Sequence, residues 1–300
     1  MDTREVVLRA RAENTVIPAF NIAHLPMMEA IVKAVVDENS VAMVQVARIE
    51  WEKMNAGSIE ETAKEYRRCG NTDHTILHLD HVPVIDEDDL TVDYRPIIKR
   101  AIDAGFQSVM VDGSRLPLEE NIAATLEVVN MAHGAGLPCE AELGAVLGHE
   151  SGPRPPYEEI FASRIGFTKA AEAKRFVLET GVDWLSIAAG NIHGAVAEAT
   201  RNEKKPEARL DISHIEALYQ AASVPLVLHG GSGIKNEFIR AAIIAGIAKI
   251  NIGAEIRQAY EKGLKEDGGN VDSARQRVYD KTREILSDSL GITNSHTALL

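Results

Sequence analysis

Cysteine is scarce in this chain. Only two cysteines occur among 300 residues, Cys69 and Cys139, and they stand 70 positions apart with no CxxC spacing. This usage is typical of a reduced compartment, and it excludes a zinc site built from cysteines. Any metal ion must therefore be held by histidine and carboxylate side chains.

Long apolar runs are also absent. Nothing in the sequence approaches the roughly 18 consecutive apolar residues that a membrane span requires. The first 14 residues, MDTREVVLRARAEN, lack a basic segment followed by an apolar core, so we expect no signal peptide. These absences predict a soluble cytoplasmic protein with no membrane partner.

Positive charge is in deficit. The chain has 32 Lys and Arg residues against 45 Asp and Glu residues, a formal net charge of −13. Basic residues form only short pairs such as Arg67-Arg68, so the electrostatic footprint of a nucleic-acid-binding surface is missing. We expect no nucleic-acid partner.

Short β-branched or apolar runs are what the sequence does have, and longer amphipathic stretches separate them. The predicted strands are 16–20, 41–46, 75–79, 108–111, 137–143, 184–188, 225–228 and 249–252. Helical spacing is found at 25–38, 93–104, 118–134, 169–180, 211–222 and 236–246. Eight strands alternating with helices predict an α/β fold, a (β/α)8 TIM barrel that takes the whole chain, 1–300, as one domain.

Two segments stand outside this alternation. Residues 148–166 form the longest irregular piece, rich in proline, and they follow the fifth strand. On a barrel that position is an active-face loop, and its length suggests a lid. The C-terminal stretch 272–290 has helical spacing and is predicted to be a helical extension.

Polar side chains gather where the predicted strands end. The stretch TILHLDHV (75–82) carries His78, Asp80 and His81 at the end of an apolar run, where unpaired burial would cost several kcal/mol. His193 follows strand six and His229 ends strand seven. Barrels place active sites at these carboxyl ends, and three histidines on one rim suit zinc with an open position for substrate.

Each of these features has a plainer interpretation. A single histidine at a strand end is more often a satisfied core residue than a ligand, and only the convergence of three favours a metal. His78 shares a strand face with Asp80, so we interpret it as a structural or supporting residue. Gly230, Gly231 and Gly233 after strand seven could bring backbone N–H groups close to a phosphate, or could simply form a tight turn.

In their order along the chain, these motifs resemble the class II, metal-dependent ketose-bisphosphate aldolases, the family of fructose- and tagatose-bisphosphate aldolases. The resemblance covers most of the chain. It is carried by IPAFNI (17–22), LHLDH (77–81), VDGSRLPLEENI (111–122), EAELGAVLGHE (140–150), TGVDWLSIAAGNIHG (180–194), LHGGSGI (228–234) and KINIGAE (249–255).

The resemblance implies a role for particular residues. It implies that His81, His193 and His229 hold a catalytic Zn2+ or another divalent metal, and it allows for a monovalent cation as well. Asp80 resembles the family's proton-transfer acid, and Glu150 resembles its mobile-loop glutamate. The residues implied to bind the sugar phosphate are Asn21, Gly194, Gly230, Gly231, Ser232, Asn251 and Gly253.

The chain departs from the family pattern around the substrate pocket. Ala47, Val82 and Leu147 stand where many members have smaller or hydroxyl-bearing residues, and Ala254 replaces the usual Thr. Loss of that hydroxyl predicts weaker binding of the phosphate group. Arg48, predicted to lie near the active rim, is a candidate to bind an anion at the far end of the substrate, as are Arg115 and Arg154. We therefore predict an anionic ketose other than fructose 1,6-bisphosphate.

Reversible aldol cleavage needs an enediolate, and a bound zinc can stabilise its charge in place of a Schiff base. A Schiff-base aldolase needs a lysine inside the barrel, whereas Lys249 is predicted to lie at the wrong, N-terminal end of strand eight. A barrel metal-hydrolase would carry His-x-His on strand one, which reads IPAFN. A non-catalytic barrel descended from an aldolase would have no need of Asp80 and Glu150.

Oligomeric state has two interpretations at this level. Relatives of this kind form dimers or tetramers, and Ala274, Val278, Ile285 and Leu286 give the C-terminal helix an apolar face. That face could pair with a second copy to form a homodimer or homotetramer, or could simply pack on the chain's own core.

Overall fold

The computed structural model describes residues 1–146, 156–192 and 208–300. In this part of the chain, eight parallel strands close into a barrel in sequence order, with β8 hydrogen-bonded to β1. The strands are β1 (Ile17–Asn21), β2 (Ala42–Ala47), β3 (Thr75–Pro83), β4 (Ser108–Asp112), β5 (Cys139–Leu143), β6 (Trp184–Ile187), β7 (Leu226–Leu228) and β8 (Ile247–Ile252). The predicted (β/α)8 barrel is confirmed, and each predicted strand is found.

Helices cover the outside of the barrel. They are α1 (Thr3–Ala12), α2 (Met27–Asp37), α3 (Arg48–Lys53), α4 (Ile59–Cys69), α5 (Tyr94–Ala104), α6 (Leu118–Gly134), α7 (Tyr157–Ser163), α8 (Ala170–Thr180), α9 (Ile212–Ala222), α10 (Asn236–Ala245), α11 (Ala254–Glu266), α12 (Val271–Glu284) and α13 (Ser295–Leu299). A π-helical turn, Ile285–Ser289, prolongs α12. The six helices predicted between strands are all present.

Helix α4 was not predicted, although the sequence contains its start signal. Ser58 accepts a hydrogen bond from the N–H of Glu61, and Glu61 accepts one from the N–H of Ser58, the reciprocal pair called a capping box. The helix buries only Ile59, Thr62, Ala63 and Tyr66. These four residues follow the i, i+3, i+4, i+7 spacing of a helix face, so both the cap and the periodicity were available signals in the sequence.

Helix α1 closes the N-terminal end of the barrel. Its Val6, Val7 and Ala10 pack in one cluster with the first residues of the strands, among them Ile17 and Trp184. All of these side chains are almost fully buried, which removes the barrel floor from water. The opposite end, where the strands finish, is left for the site.

A β-bulge interrupts β3 where its polar residues begin. The pairing of β3 with β4 passes from Leu79↔Val109 to Val82↔Val111, so β3 carries one extra residue there. His81 sits in this bulge with φ of +32°, a conformation that costs a non-glycine residue about 1–3 kcal/mol. Successive side chains of a regular strand point to opposite faces, but the bulge lets Asp80 and His81 face the same cavity.

Part of the segment predicted to be irregular is helical. Helix α7 occupies 157–163, within the predicted loop 148–166. Tyr157 begins it, and its hydroxyl lies 3.0 Å from the carbonyl oxygens of both Gly190 and Arg209 and accepts a hydrogen bond from the N–H of Arg209. This bond anchors the end of the segment to the region that follows β6.

The C-terminal helices pack on the chain's own core. Ala274, Val278, Ile285 and Leu286 are all buried within this one chain, in the same cluster as the barrel strands and their helices. The second interpretation of this apolar face is therefore the right one, and α12 provides no evidence for an oligomer. Among the residues described, no helix is both long enough and apolar enough to span a bilayer.

Candidate active site

A cavity opens at the carboxyl ends of the strands. Its walls come from the ends of β1, β2, β3, β4, β5 and β8 and from the loops that follow β2, β3, β4, β5, β7 and β8. The side chains that line it include Asn21, Asp80, His81, Ser232 and Asn251. The site residues predicted from several distant motifs thus meet in one place.

The carboxylate of Asp80 is held at both oxygens. Asn21 donates from Nδ2 to Oδ2 at 2.8 Å, and Asn251 donates from Nδ2 to Oδ1 at 3.0 Å. Each amide is oriented from behind, because Gln45 donates to Asn21 Oδ1 at 2.9 Å and Lys249 donates to Asn251 Oδ1 at 2.7 Å. Two neutral donors that cannot reverse without breaking a second bond fix the direction of the Asp80 side chain.

Asp80 is almost fully buried and still kept as a carboxylate. Burial on its own would raise its pKa, but His81 and Lys249 lower the pKa below its ordinary value. A buried, ionised carboxylate with a fixed direction can accept a proton from a substrate hydroxyl placed against it.

Lys249 lies inside the barrel, which corrects the sequence-based placement. It is the third residue of β8, it is fully buried, and its Nζ contacts Glu140 Oε2 at 2.9 Å as well as Asn251. Lys249 is not among the residues that line the cavity. Its part is to compensate the charge of Glu140 and to orient Asn251, not to present an amine to substrate.

His81 and His229 face each other at the end of β3 and after β7. Their ring centroids are 4.4 Å apart. His81 Nδ1 lies 3.0 Å from Asp112 Oδ2, and the two nitrogens of His229 lie 2.9 Å from Glu140 Oε1 and 2.8 Å from Glu142 Oε2. For His81, a carboxylate behind one ring nitrogen is the arrangement that fixes the ring of a metal-binding histidine. His229 has a carboxylate at each ring nitrogen, and a metal bound to one of them would displace the carboxylate there.

The donor set fits a divalent metal ion. One potential ligand atom from each of Asp80, His81 and His229 lies within 4.8 Å of the others, which is compatible with a common ion at about 2.0–2.2 Å from each. Imidazole and carboxylate donors suit zinc among other divalent metals. His193, the third predicted ligand, lies outside the described residues, as do Glu150 and Gly194.

His78 behaves as a structural residue of the barrel interior. It is fully buried, its Nδ1 lies 2.7 Å from Ser108 Oγ, and its Nε2 lies 3.5 Å from Glu140. Burial lowers its pKa to about 3, so the ring is neutral. Glu140 also accepts from Trp184 Nε1 at 2.7 Å, and it therefore joins β3, β5, β6 and β8 through one carboxylate.

The glycine-rich loop after β7 presents only part of itself to the cavity. Gly230 and Ser232 line it, as does Gly253 after β8. The N–H of Gly231 donates to Asn251 O at 3.0 Å, and a Cβ at that position would meet Ile250 at 2.6 Å. Gly231 is thus a glycine because β8 passes close to it, and its predicted contact with substrate stays a prediction.

The arginines selected from the sequence are placed differently from one another. Arg48 forms an ion pair with Asp86 at 3.2 Å and is not among the cavity-lining residues, so its role in substrate binding remains a prediction. Arg115 lines the cavity, but its Nη1 donates to Asp89 at 2.8 Å and to the carbonyl oxygen of Asp86. Arg154 lies outside the described residues.

Among the cavity residues that the sequence analysis did not single out are two that bury an ionisable side chain, Glu50 and Arg257. Glu50, the third residue of α3, is buried against the cavity wall, and Arg257, one turn into α11, is equally buried there. Glu50 stands in a run of charges, RIEWEK, that looks like a solvated helix end. A sequence signal could have found Arg257, since it lies two residues after the strand-eight motif KINIGAE, on the first turn of α11 that faces the site.

The profile of the family described as Fructose-bisphosphate aldolase class-II matches residues 1–295. The YdjI aldolase of Escherichia coli K12 has a similar crystal structure, with 28% identity, coverage of 97% of this chain and 98% of that chain, and a TM-score of 0.75. A Coccidioides immitis structure assigned as a fructose-1,6-bisphosphate aldolase is 27% identical over 99% and 98% of the two chains, with a TM-score of 0.77. Fructose-bisphosphate aldolase of Campylobacter jejuni shares the fold, with 19% identity over 96% and 94% of the chains and a TM-score of 0.74.

Proposed function

Since the chain belongs to the class II fructose-bisphosphate aldolases and is therefore a metal-dependent carbon–carbon lyase, we propose that it cleaves a ketose phosphate reversibly into a phosphorylated ketone, such as dihydroxyacetone phosphate, and an aldehyde. The observation that carries this proposal is the Asp80 carboxylate, fixed at both oxygens by Asn21 and Asn251 beside the His81–His229 pair. A general base with a set direction next to a metal site is what cleavage of a hydroxyl-bearing carbon–carbon bond requires.

The metal site is proposed to consist of His81, His193 and His229 and to hold zinc, with a monovalent cation as a further component. A divalent ion there would withdraw electron density from the ketone and its neighbouring hydroxyl and so stabilise the negative charge left by cleavage. His81 and His229 are supported in this role by the carboxylates that orient them.

The proton movements fall to two carboxylates in this proposal. Asp80 removes the proton of the hydroxyl on the carbon that becomes the aldehyde, and returns it in the condensation direction. Glu150 delivers a proton to the carbon of the ketone fragment that loses its bond. Lys249 and Gln45 do not exchange protons with substrate but hold the two asparagines that hold Asp80.

The phosphate of the ketone half is proposed to bind between the ends of β7 and β8. Gly230, Ser232 and Gly253 line this part of the cavity, and the N-terminus of α11 begins there, where backbone N–H groups favour an anion. Ala254, at the first position of α11, has no hydroxyl to contribute. The buried guanidinium of Arg257 supplies charge in the same region, and Glu261 orients it through a 2.9 Å ion pair.

Substitution of Arg257 should therefore weaken the binding of phosphorylated substrates. We expect Arg257→Gln to raise KM for a ketose phosphate about tenfold or more while kcat changes less than threefold, as for loss of one charge-assisted hydrogen bond of roughly 1.5–3 kcal/mol. Steady-state kinetics on zinc-loaded protein would measure this. Arg277→Gln, a half-exposed arginine of α12 that pairs with Glu266, is the matched control and should behave as wild type. An unchanged KM in folded Arg257→Gln would remove Arg257 from phosphate binding.

The activity itself is tested by a retro-aldol screen of metal-loaded protein. The panel contains fructose, tagatose and sorbose 1,6-bisphosphates, the corresponding ketose 1-phosphates and acid-bearing ketoses, with the aldehyde and ketone products measured separately. Cleavage of at least one ketose phosphate is expected. If none is cleaved by protein with a full complement of zinc, cobalt or manganese, the proposed substrate class is wrong.

A homo-oligomer, dimer or tetramer, is also proposed, on the strength of family membership alone. Light scattering that gave a mass near that of the single 32.6 kDa chain would contradict it. A cytoplasmic location is proposed from the scarcity of cysteine and from the unpaired state of both Cys69 and Cys139.

A further inference from the structure

Glu50 carries a buried carboxyl group that faces the cavity and takes no part in the proton transfers proposed for Asp80 and Glu150. Its side chain is 5% exposed and lines the cavity wall after β2. Oε2 accepts a hydrogen bond from the N–H of Ala47 at 2.7 Å and lies 3.5 Å from Asn21 Nδ2. Within the described ranges of the chain, Oε1 takes part in none of the hydrogen bonds found, so one oxygen of a nearly buried carboxyl group remains for a ligand.

Asn21 relates Glu50 to the reacting end of the substrate. The same Nδ2 that lies 3.5 Å from Glu50 Oε2 donates to Asp80 Oδ2 at 2.8 Å, so the two carboxyl oxygens are at most about 6.3 Å apart, the two distances laid end to end. Asp80 addresses the hydroxyl at the bond that breaks. A carbon–carbon bond is about 1.5 Å long, and Glu50 is therefore within reach of a group one or two carbons further into the aldehyde half.

The rest of this side of the cavity does not suit an anion. Glu87 also lines it, and apolar side chains of Ile49, Met54 and Ile85 make up much of the remaining wall. The basic groups near this wall already form ion pairs with acidic residues of the loop after β3. Arg48 pairs with Asp86, Lys53 with Glu87 and Asp88, and Arg115 with Asp89.

We infer that Glu50 is a specificity-determining residue that hydrogen-bonds a hydroxyl group of the aldehyde half, so that the enzyme takes ketose monophosphates whose distal end is hydroxylated rather than phosphorylated. This inference rests on the proposed function. A hydroxyl can donate to a carboxylate and accept from a carboxylic acid, and thus pairs with Glu50 in either protonation state. Burial raises the pKa of Glu50 to about 8, and the neighbouring Asp80 adds to the effect, so Glu50 and a substrate hydroxyl can share a hydrogen bond with either group as the donor.

Binding of non-reactive analogues tests the inference without relying on catalysis. Hexitol 1-phosphate and hexitol 1,6-bisphosphate lack the carbonyl group and cannot be cleaved. Calorimetric titration of zinc-loaded wild-type protein should show the monophosphate binding at least tenfold more tightly. Equal or tighter binding of the bisphosphate would overturn the inference, whether or not the protein proves to be an active aldolase.

Variants at Glu50 separate recognition from structural support. Glu50→Gln keeps a hydrogen-bonding group for Ala47 and for a hydroxyl, and should retain the preference within threefold. Glu50→Met removes the bond and should reduce the preference at least tenfold, mainly by weakening the monophosphate. Glu52→Met, an exposed neighbour on the same helix, is the matched control and should leave both affinities unchanged.

The outcomes distinguish the two levels of the proposal. A merely structural role for Glu50 would weaken both hexitol phosphates equally in Glu50→Met and leave their ratio unchanged, which would overturn the inference. If Glu50→Met does not fold, the wild-type ratio still decides. Absence of cleavage of any ketose phosphate by wild type would count against the proposed function and not against the binding preference.

Discussion

Replacement of Asp80 by alanine should lower kcat by roughly 10²-fold or more while the fold and the bound metal are kept, as expected for loss of a general acid and base. The reason lies in the geometry, because hydrogen bonds from the side-chain amides of Asn21 and Asn251 fix the orientation of the Asp80 carboxylate in the cavity. Alanine is a better choice than asparagine here. An asparagine would have to turn an NH2 group toward Asn21 or Asn251, both of which donate, and would disturb the site for reasons unrelated to proton transfer.

The measurement is steady-state cleavage of the best ketose phosphate, with thermal unfolding and metal content as checks. Asp88→Ala, on the loop after β3, removes an exposed carboxylate whose described partner is Lys53, and it should stay within twofold of wild type. A rise in KM with kcat unchanged in Asp80→Ala would show that Asp80 binds substrate and does not transfer a proton.

Proton exchange separates Asp80 from Glu150. The ketone fragment should exchange a carbon-bound proton with solvent in Asp80→Ala, because that step needs only the base proposed for the ketone side. Glu150→Gln should show the reverse, with exchange slowed more than substrate binding. Unchanged exchange in Glu150→Gln would remove Glu150 from the mechanism.

The repeating pattern made the barrel predictable from sequence. Each strand is a short buried run with its own flanking helix, and the parallel (β/α)8 arrangement is the compact solution for eight such units. The positions of Asp80, His81 and His229 followed, because strand ends meet at one face. Helix α4 was missed although its capping box and the helical spacing of its buried residues are both visible in the sequence.

What the sequence did not reveal depends on contacts between distant strands. The bulge in β3 is defined by its pairing with β4, so no local pattern predicts that Asp80 and His81 face the same cavity. Lys249 was placed wrongly because its position along β8 does not reveal its ion pair with Glu140. Glu140 comes from β5, and the pair forms inside the barrel. Glu50 resembled a solvated helix residue until the structure placed it beside Asn21 and Asp80.

The C-terminal helix illustrates the same limit in another way. Its apolar face was compatible with a subunit interface and with the chain's own core, because periodicity reports that a face is buried and not what buries it. Packing of α12 within the chain settles the matter for Ala274 and Val278.

Removal of the metal should abolish cleavage altogether. Protein purified without a chelator is expected to contain about one equivalent of zinc, or of cobalt, manganese or iron, per chain, measured by plasma mass spectrometry. His81→Ala should lose most of this metal and at least 10³-fold of activity, since catalysis by a Lewis acid cannot be supplied by the remaining polar groups.

His81 is the better position to change because it is partly exposed at the rim of the cavity. His229 is fully buried between Glu140 and Glu142, and its removal would leave two buried carboxylates short of a partner at a cost of about 3–5 kcal/mol. His133→Ala is the matched control, as this histidine pairs with Asp183 at 2.9 Å away from the cavity. Absence of any stoichiometric divalent metal in active protein, or full activity in His81→Ala, would show that these histidines serve the barrel as structural residues and that the charge formed on cleavage is stabilised by other means.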